Sequence, residues 1–274
     1  MAQRVVTGAL LIIGLTALLF LGGWYFAAAA CAAIALCIHE ELRAFKKHGE
    51  KPVCWTSYVS LAVSVPLMMY YSSVVIIPTL TIISFFVLLQ IMRRDEPALT
   101  DVMVSVLPML TLVLPGMCLF GILDTPLRRM QAMLLTMVFA IAVGSDTFAL
   151  FTGTWIGGKK LCPKISPHKT VAGAVGGLVG SVFLAWLVGY IFAEVLPTQA
   201  FPPMWANLLV GFVGGVAAQM GDLFASMVKR YCGIKDFGTL FPGHGGMLDR
   251  MDSILFAAII VYSYRVIVMT FIPV

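Results

Sequence analysis

Apolar stretches of about 20 residues recur from one end of this chain to the other, and no other feature restricts its fold as tightly. Their centres fall near Ile12, Ala30, Val63, Ile82, Leu112, Phe139, Leu184, Val213 and Ile260. A bilayer core is about 30 Å thick and takes about 20 apolar residues per helix. A helix also satisfies its own backbone hydrogen bonds where no water is present. Mean hydropathy of +0.98 and 60% hydrophobic residues exceed what a soluble core of 274 residues buries. The prediction is an all-α polytopic membrane protein with about nine transmembrane helices and no soluble domain. The net charge of +5 is small, so no nucleic-acid partner is implied.

The first stretch follows Arg4 and resembles a signal peptide, but apolar helices continue to the C-terminus, so it is read as a retained helix. It abuts the second at Gly22-Gly23, where a hairpin is expected. Orientation follows from the basic residues. With nine alternating helices, all Lys and Arg except Arg128, Arg129 and Arg265 fall on the side of the N-terminus. Basic residues are retained in the cytoplasm, so that side is predicted cytoplasmic.

Glycines four apart add a second layer. Gly153 and Gly157, Gly173 and Gly177, Gly176 and Gly180, and Gly211 and Gly215 allow close approach of helix backbones in lipid. The first four spans lack this pattern. The chain therefore divides into an N-terminal transmembrane layer, 1–125, and a C-terminal transmembrane bundle with cytoplasmic loops, 126–274. The six cysteines show no CxxC spacing and read as inert packing.

Polar residues concentrate in a few places. Asp146 lies in a helix that is apolar on both sides, where a carboxylate needs a polar cavity or a cation; a hydrogen bond to Ser145 or Thr147 is the structural alternative. The segment Lys159 to Thr170 holds four Lys and two Pro, attractive to phosphate or simply a basic loop beside lipid headgroups. Between Gly221 and Asp252 the chain is polar where its neighbours are not. Helical spacing puts Asp222, Ser226 and Lys229 on one face. Pro242-Gly243-His244-Gly245-Gly246 forms a tight turn whose amides could cradle phosphate, or an ordinary turn. Asp249 and Asp252, three apart, share a face of the last helix. With Asp222 and Asp146 they resemble an oxygen-ligand site for Mg²⁺. His244 suits phosphate, metal or turn stabilisation.

These residues also resemble a known signature. Ser226-x-Val228-Lys229-Arg230, then Lys235-Asp236-x-Gly238, then Phe241-Pro242-x-His244-Gly245-Gly246-Met247-x-Asp249-Arg250-Met251-Asp252 is similar to that of the phosphatidate cytidylyltransferases. Ser145-Asp146-Thr147-Phe148-Ala149 and Ser166-Pro167-x-Lys169-Thr170 look like two further family segments. The resemblance covers about residues 140 to 265. Two positions depart from it: Ala172 and Ala225 stand where the family usually has Glu.

The resemblance implies transfer of CMP from CTP to phosphatidic acid in the bilayer, with Mg²⁺ as cofactor, a second monovalent cation left open, and a homodimer as the assembly. It implies catalytic roles for Asp222, Lys229, Arg230 and Asp249, and metal binding by Asp146, Asp222, Asp249 and Asp252. Substrate contacts would come from Asp146, Ser166, Lys169, Thr170, Ser226, Lys235, Asp236, His244, Gly245, Gly246 and Arg250. The expected location is a bacterial inner membrane with N-terminus and active site cytoplasmic. Two other readings are a CTP-dependent polyprenol- or dolichol-type lipid kinase and a cation-coupled transporter, since intramembrane carboxylates also mark ion pathways.

Overall fold

The structure, a computed structural model, describes residues 13–71, 73–195, 203–241, 243 and 245–271. Six helices among them are long and apolar enough to cross a membrane: Gly23–His48, Leu99–Leu123, Arg128–Trp155, Val171–Glu194, Met204–Tyr231 and Leu248–Thr270. The chain is an integral membrane protein. These six contain the centres expected at Ala30, Leu112, Phe139, Leu184, Val213 and Ile260. Ile12 lies outside the described residues. The helices around Val63 and Ile82 have 17 residues each, about 25 Å at 1.5 Å per residue and short of the full apolar core.

The described residues group into two compact units, one drawn from Met1–Asp124 and Lys229–Met251, the other from Thr125–Val228 and Asp252–Val274. In the first, residues 13–21 are helical and the helix breaks at Gly22 and Gly23, both with positive φ. Helix α1 (Gly23–His48) then runs to a glycine stop: Gly49 has φ 115° and its N–H returns to the Lys46 carbonyl. Helix α2 (Cys54–Tyr70), a 3-10 turn (Ser73–Val75), α3 (Ile76–Met92) and α4 (Leu99–Pro108) follow. A π-helical turn at Met109–Val113 joins α4 to α5 (Leu114–Leu123), next to Pro115, which has no N–H to continue the ordinary ladder. Ile34, Ile38, Phe45, Met109 and Phe120 are fully buried.

A polar clasp fixes the connections of this unit. Arg94 donates to Asp101 Oδ2 (2.6 Å) and to the Lys51 carbonyl (2.7 Å), and Lys51 N–H donates to Asp101 Oδ1 (2.8 Å).

In the second unit, α6 (Arg128–Trp155) leads into two antiparallel strands, β1 (Lys160–Cys162) and β2 (Ser166–Thr170), then α7 (Val171–Val195). Among the described residues this short hairpin is the one addition to the expected all-α architecture. Pro163 and Pro167 prevent helix, and Ile165 N–H closes the turn on the Cys162 carbonyl. Helix α8 (Met204–Tyr231) belongs to this unit up to Val228, and α9 (Leu248–Phe271) from Asp252 onward.

Glycine sets the spacing of α6 and α7. A Cβ at Gly173 would lie 2.9 Å from the Ala149 carbonyl oxygen and 3.3 Å from Gly153 Cα, and one at Gly144 3.0 Å from the Gly180 carbonyl. A Cβ at Gly211 would lie 2.8 Å from Val182 Cα, bringing α8 equally close to α7. Dispersion between close backbones takes the place that hydrophobic burial holds in water. Gly157 is a correction: it lies past the end of α6 with φ 62° and open space around it, a turn residue instead of a packing one.

Candidate functional site

In the second unit, helix ends and the hairpin surround a cavity of about 710 Å³, within the usual range of small-molecule sites, about 300–1,000 Å³. Asp146 from α6, Lys169 and Thr170 from β2, and Asp222 from α8 line it. Lys169 Nζ donates to Asp222 Oδ2, an ion pair in which each side chain is about a quarter exposed. Antiparallel pairing gives Lys169 its place, since the register sets Thr170 opposite Lys160. Thr170 Oγ1 accepts the Gly173 N–H at 3.0 Å and so caps the start of α7.

Ser145, Lys160, His168 and Gln219 also line the cavity, and sequence reasoning had given none of them a substrate or metal role. Ser145 is buried, and its hydroxyl has no hydrogen-bond partner among the described residues. Gln219 donates to the Ala174 carbonyl at 2.9 Å. Lys160, His168 and Lys169 supply cationic or potentially cationic groups to a wall that also carries Asp146 and Asp222.

Asp252 is buried, and its Oδ1 accepts the Ser253 N–H at 2.7 Å. The Ser253 hydroxyl lies 3.3 Å from Asp252 Oδ1 and 3.4 and 3.5 Å from the two Asp146 oxygens. Ser253 therefore bridges two of the nominated carboxylates. No sequence pattern marks a serine that simply follows an aspartate. Ser166 is half-buried on β2 and Ser226 half-buried on α8, and neither lines the cavity. Ala225 is buried, 4% exposed, so a glutamate there would need a cationic partner that alanine does not.

The first unit holds the other nominated residues. Asp249 is a hub: Oδ1 accepts Lys229 Nζ at 2.9 Å, and Oδ2 accepts the N–H groups of Phe237 and Gly246, each at 2.9 Å. Lys229 also stands 5.5 Å from the centre of the Phe237 ring, within cation–π range. Gly245 has φ 85°, a conformation that favours glycine, and its carbonyl accepts the Phe241 N–H. The Gly246 amide, a candidate phosphate donor by sequence, is directed instead at Asp249. Arg230, Lys235, Asp236 and Arg250 are exposed. His244 lies outside the described residues.

Glu40 on α1 completes this turn, and sequence reasoning passed it over. Its Oε1 accepts the Met247 N–H at 3.0 Å and its Oε2 the Leu248 N–H at 2.8 Å. The rule that flagged Asp146, a carboxylate with apolar helix on both sides, does not reach Glu40 and Glu41, which Arg43, Lys46 and Lys47 follow. Tyr231 donates to Glu50 at 2.5 Å and lies against His48, ring centres 4.6 Å apart and planes tilted by 42°. Burial, with the charges of Glu41 and Glu50, pushes the Cys232 thiol up to about 11.

All six cysteines are free, and Cys37, Cys118 and Cys232 are buried. Among the described residues no three His, Cys, Asp or Glu side chains gather as a metal-holding group. Mg²⁺ needs fewer, because it binds through one or two carboxylates together with substrate phosphates and water. Asp146 and Asp222 on the wall of one cavity meet that requirement, and the ammonium on Asp222 marks an oxygen already aimed at positive charge.

The cytidylyltransferase family model matches residues 2–268. A protein of Synechocystis sp. named phosphatidate cytidylyltransferase is 31% identical over 304 aligned residues, taking in 97% of each chain. Proteins of the same name from Bacillus subtilis and Brucella abortus are 37% identical over 150 residues and 39% identical over 130. The matched stretch spans about half the length of these two relatives, 53% and 46%.

Proposed function

We propose a reaction for this chain, which belongs to the cytidylyltransferase family: it transfers CMP from CTP to phosphatidic acid, giving CDP-diacylglycerol and pyrophosphate. The observation that carries the proposal is the alignment, nearly end to end, with the Synechocystis phosphatidate cytidylyltransferase. The chemistry of the residues agrees with it. A phosphate monoester with a second pKa near 6 is mostly dianionic at neutral pH, so the attacking oxygen needs no general base. The difficulty lies in bringing two polyanions together, and cations meet it.

In the unit with the cavity, Lys169 and Lys160 would hold phosphate oxygens. Asp222 keeps the Lys169 ammonium oriented, and Ser166, Thr170 and Ser226 are proposed as polar contacts. In the other unit, Lys229, Arg230, Lys235 and Arg250 would balance charge on the transferring and leaving phosphates, with Asp249 fixing Lys229; Asp236, His244 and Gly245 are proposed substrate contacts, while the Gly246 amide serves Asp249. Asp146, Asp222 and Asp252 are the carboxylates proposed to hold Mg²⁺ in the unit with the cavity, and Asp249 is proposed as a metal ligand within its own unit. When bound, the ion supplies further neutralisation of phosphate charge. A monovalent second cation, a homodimer, nine crossings and a bacterial inner-membrane location with the N-terminus and active site cytoplasmic complete the proposal.

The test is incubation of the purified protein in lipid with labelled CTP, phosphatidic acid and Mg²⁺. The expected result is CDP-lipid and pyrophosphate in equal amounts. Failure to form either with any divalent cation refutes the assignment.

A further inference from the structure

The polar turn that ends in Asp249 is held from the far side by a residue more than 200 positions away. Helix α9 begins at Leu248, and the first N–H groups of a helix have no partner within it. Such groups are usually capped by a Ser, Thr, Asp or Asn just before the helix, but here the preceding residue is Met247. Glu40 takes that role from α1, accepting Met247 N–H at 3.0 Å and Leu248 N–H at 2.8 Å. Its negative charge suits the positive end of the helix dipole.

Two glycines make room for it. A Cβ at Gly238 or at Gly246 would run into the Glu40 carboxylate. Glu40 is itself buried, 8% exposed. On the other side of the turn, Asp249 accepts the N–H groups of Phe237 and Gly246. Four buried or half-buried amides are thus divided between two carboxylates, Phe237 and Gly246 to Asp249, Met247 and Leu248 to Glu40. Losing either carboxylate leaves two amides unpaired. The backbone that aims Asp249 at Lys229 is the same backbone that Glu40 holds.

We infer that Glu40 is a positioning residue for the proposed reaction: it caps α9 from α1 and thereby sets the Lys229–Asp249 pair. The inference rests on the function proposed above for Lys229 and Asp249. Glu40 acts on that pair through the 246–248 backbone. Glu41, the next residue, is buried with Oε2 unpartnered among the described residues and makes none of these contacts, which makes it the control.

The experiment uses the full chain in lipid nanodiscs and compares wild type with Glu40→Gln, Gly246→Ala and Glu41→Gln. A glutamine offers one acceptor where two are needed, and its NH₂ faces an N–H. Expected for Glu40→Gln are amide exchange at Met247 and Leu248 at least about tenfold faster, and a kcat about 10- to 100-fold lower, with KM for CTP within about twofold. Gly246→Ala, which keeps the charge of Glu40 but crowds its carboxylate, should reproduce the loss in kcat even if Glu40→Gln fails to fold. Glu41→Gln should match wild type in both measurements.

Full kcat in both Glu40→Gln and Gly246→Ala overturns the inference, as does a loss confined to KM or an equal loss in Glu41→Gln. If wild type itself forms no CDP-lipid, the functional proposal falls. Exchange at Met247 and Leu248 still decides the cap in that case: faster exchange in Glu40→Gln upholds it, and unchanged exchange refutes it.

Discussion

Replacing Lys229 by Met, Asp249 by Asn, and both together measures the ion pair on which the first unit's polar turn converges. At 2.9 Å and an effective dielectric of about 20, the gross attraction is about 6 kcal/mol. The two side chains are only 15% and 4% exposed, so desolvation offsets much of it. What remains is about 1.5–3 kcal/mol, the usual net value of a hydrogen bond to a charged group. Asp249→Asn alone costs about 2–4 kcal/mol, because one amide oxygen cannot serve Lys229 and the two backbone donors together. Lys229→Met alone costs about 1–3 kcal/mol, since Asp249 keeps both backbone partners. The double mutant should therefore be less destabilised than the sum of the singles by about 2 kcal/mol. Reversible unfolding in mixed detergent micelles gives the four free energies. A coupling below about 0.5 kcal/mol would refute the reasoning and class the pair with exposed ones that contribute little. In the same set, Asp249→Asn should abolish CDP-lipid formation.

Three further outcomes are expected. Gly173→Leu must push apart backbone atoms that lie within about 3 Å of the added carbon, so it should destabilise the second unit by about 3 kcal/mol and speed tryptic cleavage at Lys159, Lys160 and Lys164; an unchanged unfolding midpoint counts against the close-packed reading. Arg94→Met leaves the buried Asp101 with the Lys51 N–H and without its cation, at a cost of about 2–4 kcal/mol measured by the same unfolding. With its pKa raised from 9.0 to about 11, the Cys232 thiol holds about 100-fold less thiolate at neutral pH than an unperturbed one. Its contribution to stability is complete below pH 9 and is lost as pH rises toward 11. Maleimide labelling of the folded protein should be slow at pH 7.5 and accelerate across that window; prompt labelling at pH 7.5 contradicts this.

Hydropathy and the cost of a buried charge made part of this molecule legible. Asp146 stood out because a carboxylate inside an apolar helix is expensive, and it lines the cavity. Asp222 and Lys169 were nominated separately, and their pairing could not be read because it depends on where β2 meets α8. The hairpin was hidden because Lys159 to Thr170 has no alternation of apolar and polar residues, only prolines that argue against helix. Gly157 was misread because four-residue spacing cannot tell a helix interior from the turn beyond its end. Glu40 and Glu41 were passed over because they sit among Arg43, Lys46 and Lys47, where carboxylates resemble a solvated helix end. Burial shows otherwise, and burial is a property of the neighbours that fold over a residue, absent from its own segment.

The reach of Glu40 has a consequence for how the protein is made. Helix α1 leaves the ribosome more than 200 residues ahead of the amides it caps, those of Met247 and Leu248. Until then Glu40 has neither of its two amide partners, and Gly238 and Gly246 enclose nothing. A chain arrested before residue 247 lacks both of these amides and Asp249 itself. The turn is therefore set only once the start of helix α9 has been made.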